Sequence, residues 1–113
     1  MKYHNQKTIV NGISFDSKKE AKRFNELKIL ERAKEITELR TQVKFELQPS
    51  FKKSGKTYRK IEYIADFTYF DNKLNKYRVE DVKGSKNTRT EVYLLKKKLF
   101  EYKYPHLTIE EVY

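Results

Sequence analysis

Apolar and polar positions alternate with a period of two along much of the chain, and with a helical period in two places. Thr8-Ile9-Val10 and Ile13-Ser14-Phe15 flank Asn11-Gly12, a turn pair that accepts positive φ at both positions, so a β-hairpin is expected to open the fold. A helix follows from Asp16 to about Ala33 or Glu35, and Ser17-Lys18-Lys19-Glu20 has the form of a capping box. Glu20 shares a face with Phe24 and Leu27, so it is either a cap or a side chain turned toward a sheet. Val43, Phe45 and Leu47 alternate with Lys44 and Glu46, which predicts a half-buried strand over Gln42–Leu47. Gln48-Pro49 ends it, with Gln48 as a turn residue in preference to a side chain reaching a site from the strand end, and Phe51–Lys60 reads as a loop around Ser54-Gly55.

Tyr63–Tyr69 and Tyr77–Lys83 are rich in aromatic and β-branched residues, and Phe70-Asp71-Asn72-Lys73 between them is turn chemistry. Together they predict two antiparallel strands. After a loop over Gly84–Asn87, Thr88-Arg89-Thr90-Glu91 forms a second capping box. The helix it opens has Val92, Leu95, Leu99 and Tyr102 as its expected apolar stripe, with Lys96, Lys97 and Lys98 along its flank. Pro105 stops that helix, and Leu107–Val112 is a closing strand. Hairpin, helix, three strands, helix and strand make a mixed α/β (α+β) fold, read as one domain over residues 1–113. Met1–Lys7 is read as a basic arm ordered on a partner.

Charge changes the picture more than composition does. Lys and Arg number 26 against 16 acids, a net charge of +10, which points to a polyanionic partner, with nucleic acid favoured over a membrane surface. No apolar run reaches membrane-spanning length, and there is no cysteine, so disulfides and thiolate metal sites are excluded and a cytoplasmic setting is expected. His4 and His106 are isolated and lack metal-ligand spacing. Lys52, Lys53, Lys56, Arg59 and Lys60 crowd one loop, and Lys86 and Arg89 precede the second helix. These, with Lys96 and Lys97, are the candidate phosphate contacts.

Each strand of the predicted hairpin carries an acid where an apolar residue is usual. Asp81 and Lys83 project from one face, Val82 from the other, and pairing the strands brings Asp66 near Asp81. Two converging carboxylates repel unless a cation lies between them, and oxygen donors favour a hard ion such as Mg²⁺, for which Mn²⁺ would substitute. The acid-x-Lys triplet is common in a chain that is 37% charged. The strand before Asp81, the glycine after Lys83 and the acid on the partner strand set this one apart. The bland alternative is a solvated hairpin with a surface salt bridge.

Asp66 followed by Asp81-Val82-Lys83 resembles the PD-(D/E)xK signature of the restriction-endonuclease-like superfamily. The runs Asn11–Ala21, Tyr63–Phe67 and Glu80–Gly84 are similar to a small, phage-borne family within it; Ala65 stands where the signature has Pro. The resemblance implies an α-β-β-β-α-β core, its central mixed sheet flanked by two helices, and a Mg²⁺-dependent endonuclease acting on DNA, branched DNA or Holliday junctions included. It implies Asp66, Asp81, the Val82 carbonyl and Glu20 as metal ligands and places Glu20, Asp66, Asp81 and Lys83 in catalysis. As an ammonium, Lys83 would orient water and stabilise phosphoryl charge rather than act as a general base. Cutting two strands symmetrically would call for a two-fold homodimer. A DNA-binding factor without catalysis, or an RNA-directed protein, is the other reading.

Overall fold

The computed structural model describes residues 7–10 and 12–113. Of the basic arm, only Lys7 falls within them, and it is exposed; the rest of the arm, and Asn11 of the first turn, lie outside the described residues. A short hairpin, β1 (Thr8–Val10) and β2 (Ile13–Phe15), leads into α1 (Lys18–Arg32). β3 (Ile36–Gln48), a ribbon of β4 (Phe51–Lys53) and β5 (Lys56–Tyr58), β6 (Ile61–Asp71) and β7 (Lys76–Val82) follow. A 3-10 turn at Lys86–Thr88, α2 (Glu91–Lys103) and β8 (Ile109–Val112) complete the chain. The fold is mixed α+β with a mixed sheet ordered β3-β6-β7-β8. β3, β6 and β7 pair antiparallel, and β8 joins β7 in parallel after the α2 crossover.

Local chemistry accounts for the elements. Ser17 caps α1 by accepting from Glu20 N at 3.1 Å. The helix ends in a Schellman turn, Glu35 N donating to Leu30 O and Lys34 N to Glu31 O, with Lys34 left-handed at φ 60°. Along β6 the odd row Tyr63, Ala65, Phe67, Tyr69 and Asp71 is buried, and it feeds two cores. Phe67 and Tyr69 join Phe15, Phe24 and Leu27 under α1. Tyr63 and Ala65 join Val79, Tyr93, Phe100 and Ile109 under α2. Arg78 ties three strands together, bonding Asp71 at the end of β6 and Glu110 on β8.

Five expectations are corrected. Gln48, expected in a turn, is the last residue of β3 and pairs with Ile61 across a register shift. β3 begins at Ile36 rather than Gln42, because a register shift between Thr37 and Arg40, with Glu38 at φ 57°, breaks the alternation that marks a strand. The expected loop over Phe51–Lys60 holds the β4–β5 ribbon, turned at Ser54-Gly55 with φ 53° and 75°, as a two-residue hairpin turn requires. The second helix is capped at Thr90, which accepts from Tyr93 N at 3.0 Å, while Thr88 closes the 3-10 turn. Its expected stripe points outward: Val92, Leu95 and Tyr102 are 63%, 56% and 88% exposed. The buried face carries Tyr93 and Phe100 instead, the latter against the rings of Phe45, Tyr63 and Tyr104. Tyr93 and Phe100 stand two turns apart on one face, and each ring supplies a large apolar area to the core. Lys96 and Lys97 lie half-buried beside them, their methylene stems along the core.

The deepest charge is Glu80 on β7, 1% exposed. Arg23 of α1 holds it with two hydrogen bonds, Nε at 2.7 Å and Nη2 at 2.6 Å, and Tyr69 OH donates to the same carboxylate. Removing one partner of such a pair leaves an uncompensated buried charge, so Arg23→Ala is expected to cost about 3 kcal/mol or more. The double variant Arg23→Met/Glu80→Leu is expected to lose less than Arg23→Ala alone. Urea unfolding of the two variants checks the order, and equal losses would show that the pair is not acting as a unit.

Candidate active site

Regular pairing between β6 and β7 ends at Phe67 opposite Glu80. One residue further, where a ladder bond would continue, the Asp66 side chain takes over: its Oδ2 accepts from Val82 N at 2.7 Å. The ladder stops there, and Asp66 and Asp81 stand at its end. Asp66 Oδ1 also receives a long contact, 3.4 Å, from Gln42 Nε2. Gln42 is held at positive φ between the pairs Thr41↔Phe67 and Val43↔Ala65.

Asp81 is nearly buried and engaged on both oxygens, Oδ2 by Tyr63 OH at 2.6 Å and Oδ1 by Lys83 Nζ at 3.0 Å. Lys83 Nζ stands 3.4 Å from the ring centroid of Tyr93, a cation over a π face. Tyr93 OH in turn donates to Glu111 at 2.8 Å. Burial, with Asp81 and Glu111 nearby, pushes the Tyr63 and Tyr93 phenols well up, so both keep their protons and serve as donors.

Glu20 closes the third side. Only half of the capping box forms: Ser17 accepts from Glu20 N, but the Glu20 carboxylate makes no hydrogen bond among the described residues. Burial, then the negative charges of Asp66, Asp16 and Asp81, raises its pKa to about 7. Asp66 rises to about 6, burial and Asp81 prevailing over the Val82 N–H, Gln42 and Lys83. Three carboxylates lie within electrostatic reach of one another, and Lys83 pairs with Asp81 and acts on Asp66. Beside them is a recess of about 290 Å³ between the start of α1 and the end of β7, lined by Asp16, Lys19, Glu20, Val82, Lys83 and Thr88.

The residues fit a hard divalent cation in kind: the donors are all oxygen, and two of the three acids are held above their ordinary pKa partly by neighbouring carboxylate charge. They do not stand as a finished cage, since among the described residues no three acidic, His or Cys side chains group as metal ligands.

The structure therefore brings Glu20, Asp66, Asp81, Val82 and Lys83 to one place. The predicted phosphate contacts divide. Lys52, Lys53, Lys56, Arg59 and Lys86 are exposed, and Lys60, also exposed, lies 3.4 Å from Glu62. Arg89 Nε is 3.1 Å from Glu111, Lys97 pairs with Glu101 at 2.9 Å, and Lys96 is half-buried. Tyr63, Tyr93 and Gln42 were not foreseen at the site. The tyrosines read as core aromatics, and Gln42 arrives through a backbone irregularity that no periodicity signals. No helix among the described residues is long and apolar enough to cross a membrane.

A family model described as "Protein of unknown function (DUF1064)" matches residues 1–112. No curated protein and no solved structure matches the chain.

The crowded acids make stability depend on pH. Because Glu20 and Asp66 have folded pKa values raised above 4.5 and 3.8 to about 7 and 6, the native state binds more protons than the unfolded one in that window. Their contribution is then full below about pH 4 and is lost as pH rises toward 7. Glu20→Gln and Asp66→Asn are each expected to flatten the fall in melting temperature between pH 4 and 7, measured in chelator. Mg²⁺ is expected to raise the wild-type melting temperature at pH 8 and to do little at pH 4.5. Unchanged slopes in both variants would show that the acids do not strain the fold.

Proposed function

The chain belongs to the DUF1064 family, and we propose that it is a Mg²⁺-dependent endonuclease that hydrolyses DNA phosphodiesters on a restriction-endonuclease-like core. The observation that carries the reading is the meeting of Asp66, Asp81 and Lys83 where the β6–β7 ladder stops, with Glu20 of α1 beside them. The order α1, β3, β6, β7, α2, β8 supports it, with the ribbon as an insertion in that series. So does a net charge of +10, which draws a polyanion toward a pocket that is itself negative.

Asp66, Asp81 and Glu20 would hold the ion, and bound Mg²⁺ would polarise the scissile phosphate and activate water for in-line attack. The chain supplies the rest. Val82 N–H holds Asp66 and Tyr63 OH holds Asp81, so both carboxylates are fixed in place before any ion arrives. Lys83, fixed between Asp81 and the Tyr93 ring, presents an ammonium where charge develops on a phosphoryl oxygen.

One observation favours a second reading, a DNA-binding factor that does not cut: both Asp81 oxygens already have partners within the chain.

Cleavage separates the two. With Mg²⁺, wild type is expected to cut duplex or branched DNA. Asp66→Asn and Asp81→Asn are expected to lose on the order of a hundredfold or more, beyond the loss of an outer-shell partner. Both variants should bind DNA in chelator at least as well as wild type, one phosphate-repelling charge having gone, and binding should weaken linearly on a log–log scale with salt. A wild type that binds but cuts no DNA structure would favour the binding factor; full activity in both Asn variants would rule out the mechanism.

A further inference from the structure

The β4–β5 ribbon carries chemistry that the active site does not use. Every residue from Phe51 to Lys60 is exposed, and the stretch holds Lys52, Lys53, Lys56, Arg59 and Lys60 with no acid. Its register pairs Phe51 with Tyr58, Lys52 with Thr57 and Lys53 with Lys56. Because side chains alternate along a strand, Phe51, Tyr58, Lys53 and Lys56 share one face. At the base of that face the two rings lie parallel, centroids 4.8 Å apart and planes within 8°, yet 44% and 39% exposed. At its tip Lys53 and Lys56 oppose each other directly, a like-charge pair that destabilises a ribbon unless an anion bridges it. Lys56 Nζ also lies 5.0 Å from the Tyr58 centroid.

A cross-strand aromatic pair by itself would only firm up the ribbon, and a two-stranded ribbon is marginal in water. Two features exceed that role: the exposed ring faces, and the concentration of cations without acids around them. A flat aromatic platform rimmed by ammonium groups matches a nucleotide whose base is free to stack and whose phosphates lie on either side. In an intact duplex the base faces are covered by their neighbours, so the platform is complementary to unpaired nucleotides. The ribbon leads straight into β6 at Ile61, five residues before Asp66, about 16 Å of strand. That is roughly five nucleotides at the 3.4 Å spacing of stacked bases on one strand.

We propose that the β4–β5 ribbon is a single-strand-reading arm, in which Phe51 and Tyr58 stack on an unpaired DNA base and Lys53 and Lys56 hold its phosphates. It would direct the chain to DNA that carries a single-stranded segment. The proposal rests on the nucleic-acid part of the preceding reading and is independent of cleavage.

The test measures fluorescence anisotropy in chelator with a labelled single strand, the blunt duplex of the same sequence, and that duplex with a single-stranded tail. Phe51→Val/Tyr58→Val keeps β-branched residues in the ribbon and removes both π faces. It is expected to weaken single-strand and tailed-DNA binding roughly tenfold, the size of one base–aromatic stack, with the blunt duplex changed less than about twofold. Lys53→Ala/Lys56→Ala is expected to weaken all three and lower the salt slope. Phe51→Trp introduces a tryptophan into a chain that has none; its emission is expected to be quenched by the single strand and not by the blunt duplex. Unchanged single-strand binding by the valine variant, equal losses on both forms, or no quenching would overturn the arm. A wild type that cuts DNA while the valine variant binds normally overturns the arm alone. Quenching without cleavage overturns only the nuclease, and a wild type that binds no DNA overturns both.

Discussion

Glu80 is the charge around which the remaining pieces are arranged. A carboxylate at 1% exposure is tolerable only if its charge is matched and its lone pairs are filled. Arg23 and Tyr69 do both, one from the helix and one from the neighbouring strand. This ties α1 to β7 by directional bonds, in addition to the packing of Phe24 and Leu27 in the core. Glu20 lies three residues before Arg23, hence about one turn along the same face. These bonds therefore help to turn Glu20 toward Asp66 and Asp81 rather than solvent.

The distribution of charge is uneven in a way that burial does not require. A chain with ten excess positive charges leaves Glu20, Asp66 and Asp81 close enough to repel, with Lys83 acting on the two aspartates. Elsewhere the acids are relieved: Asp71 and Glu110 by Arg78, Glu111 by Arg89, Tyr93 and Tyr113. The pKa of Asp71 and Glu111 falls accordingly, helped for Asp71 chiefly by the Leu74 N–H, while those of Glu20 and Asp66 rise. An arrangement that is unfavourable in the isolated chain and relieved by a cation is a functional signature more than a structural one.

Much of this was legible in the sequence, and the failures have specific causes. The two acid-bearing strands, the Ser17 cap and the closing strand follow from alternation and turn residues, and they were enough to bring Asp66 to Asp81. The start of β3 was not legible, because the register shifts between Thr37 and Arg40, where Glu38 adopts positive φ with a side chain that rarely does so. The ribbon was hidden by its lysines, which suppress a strand signal even where Ser54-Gly55 marks the turn. The face of α2 was misassigned because Val92, Leu95, Leu99 and Tyr102 have helical spacing as good as that of Tyr93 and Phe100, and spacing alone does not say which of two apolar faces meets the sheet. Glu80 carried no signal at all: an acid beside Asp81 looks like more surface charge until Arg23, 57 residues away, is seen to reach it.

The position of the site follows from what a sheet can and cannot accommodate. A central strand must satisfy its backbone groups, and an acid on it is costly unless it gains bonds. At Asp66 both needs meet, since its carboxylate accepts the Val82 N–H as the ladder between β6 and β7 runs out. The acid thus ends the strand pairing and is held by the same bond. β7 keeps its parallel pairing with β8 through Val82, and Lys83 N extends it by donating to Val112 O at 2.7 Å, so the β6 side of β7 alone is left to the carboxylates. An asparagine at 66 could make the same hydrogen bond through its carbonyl oxygen, but would bring no charge to that side. The fold thus needs an acceptor at this position, and only the chemistry proposed here needs an anion.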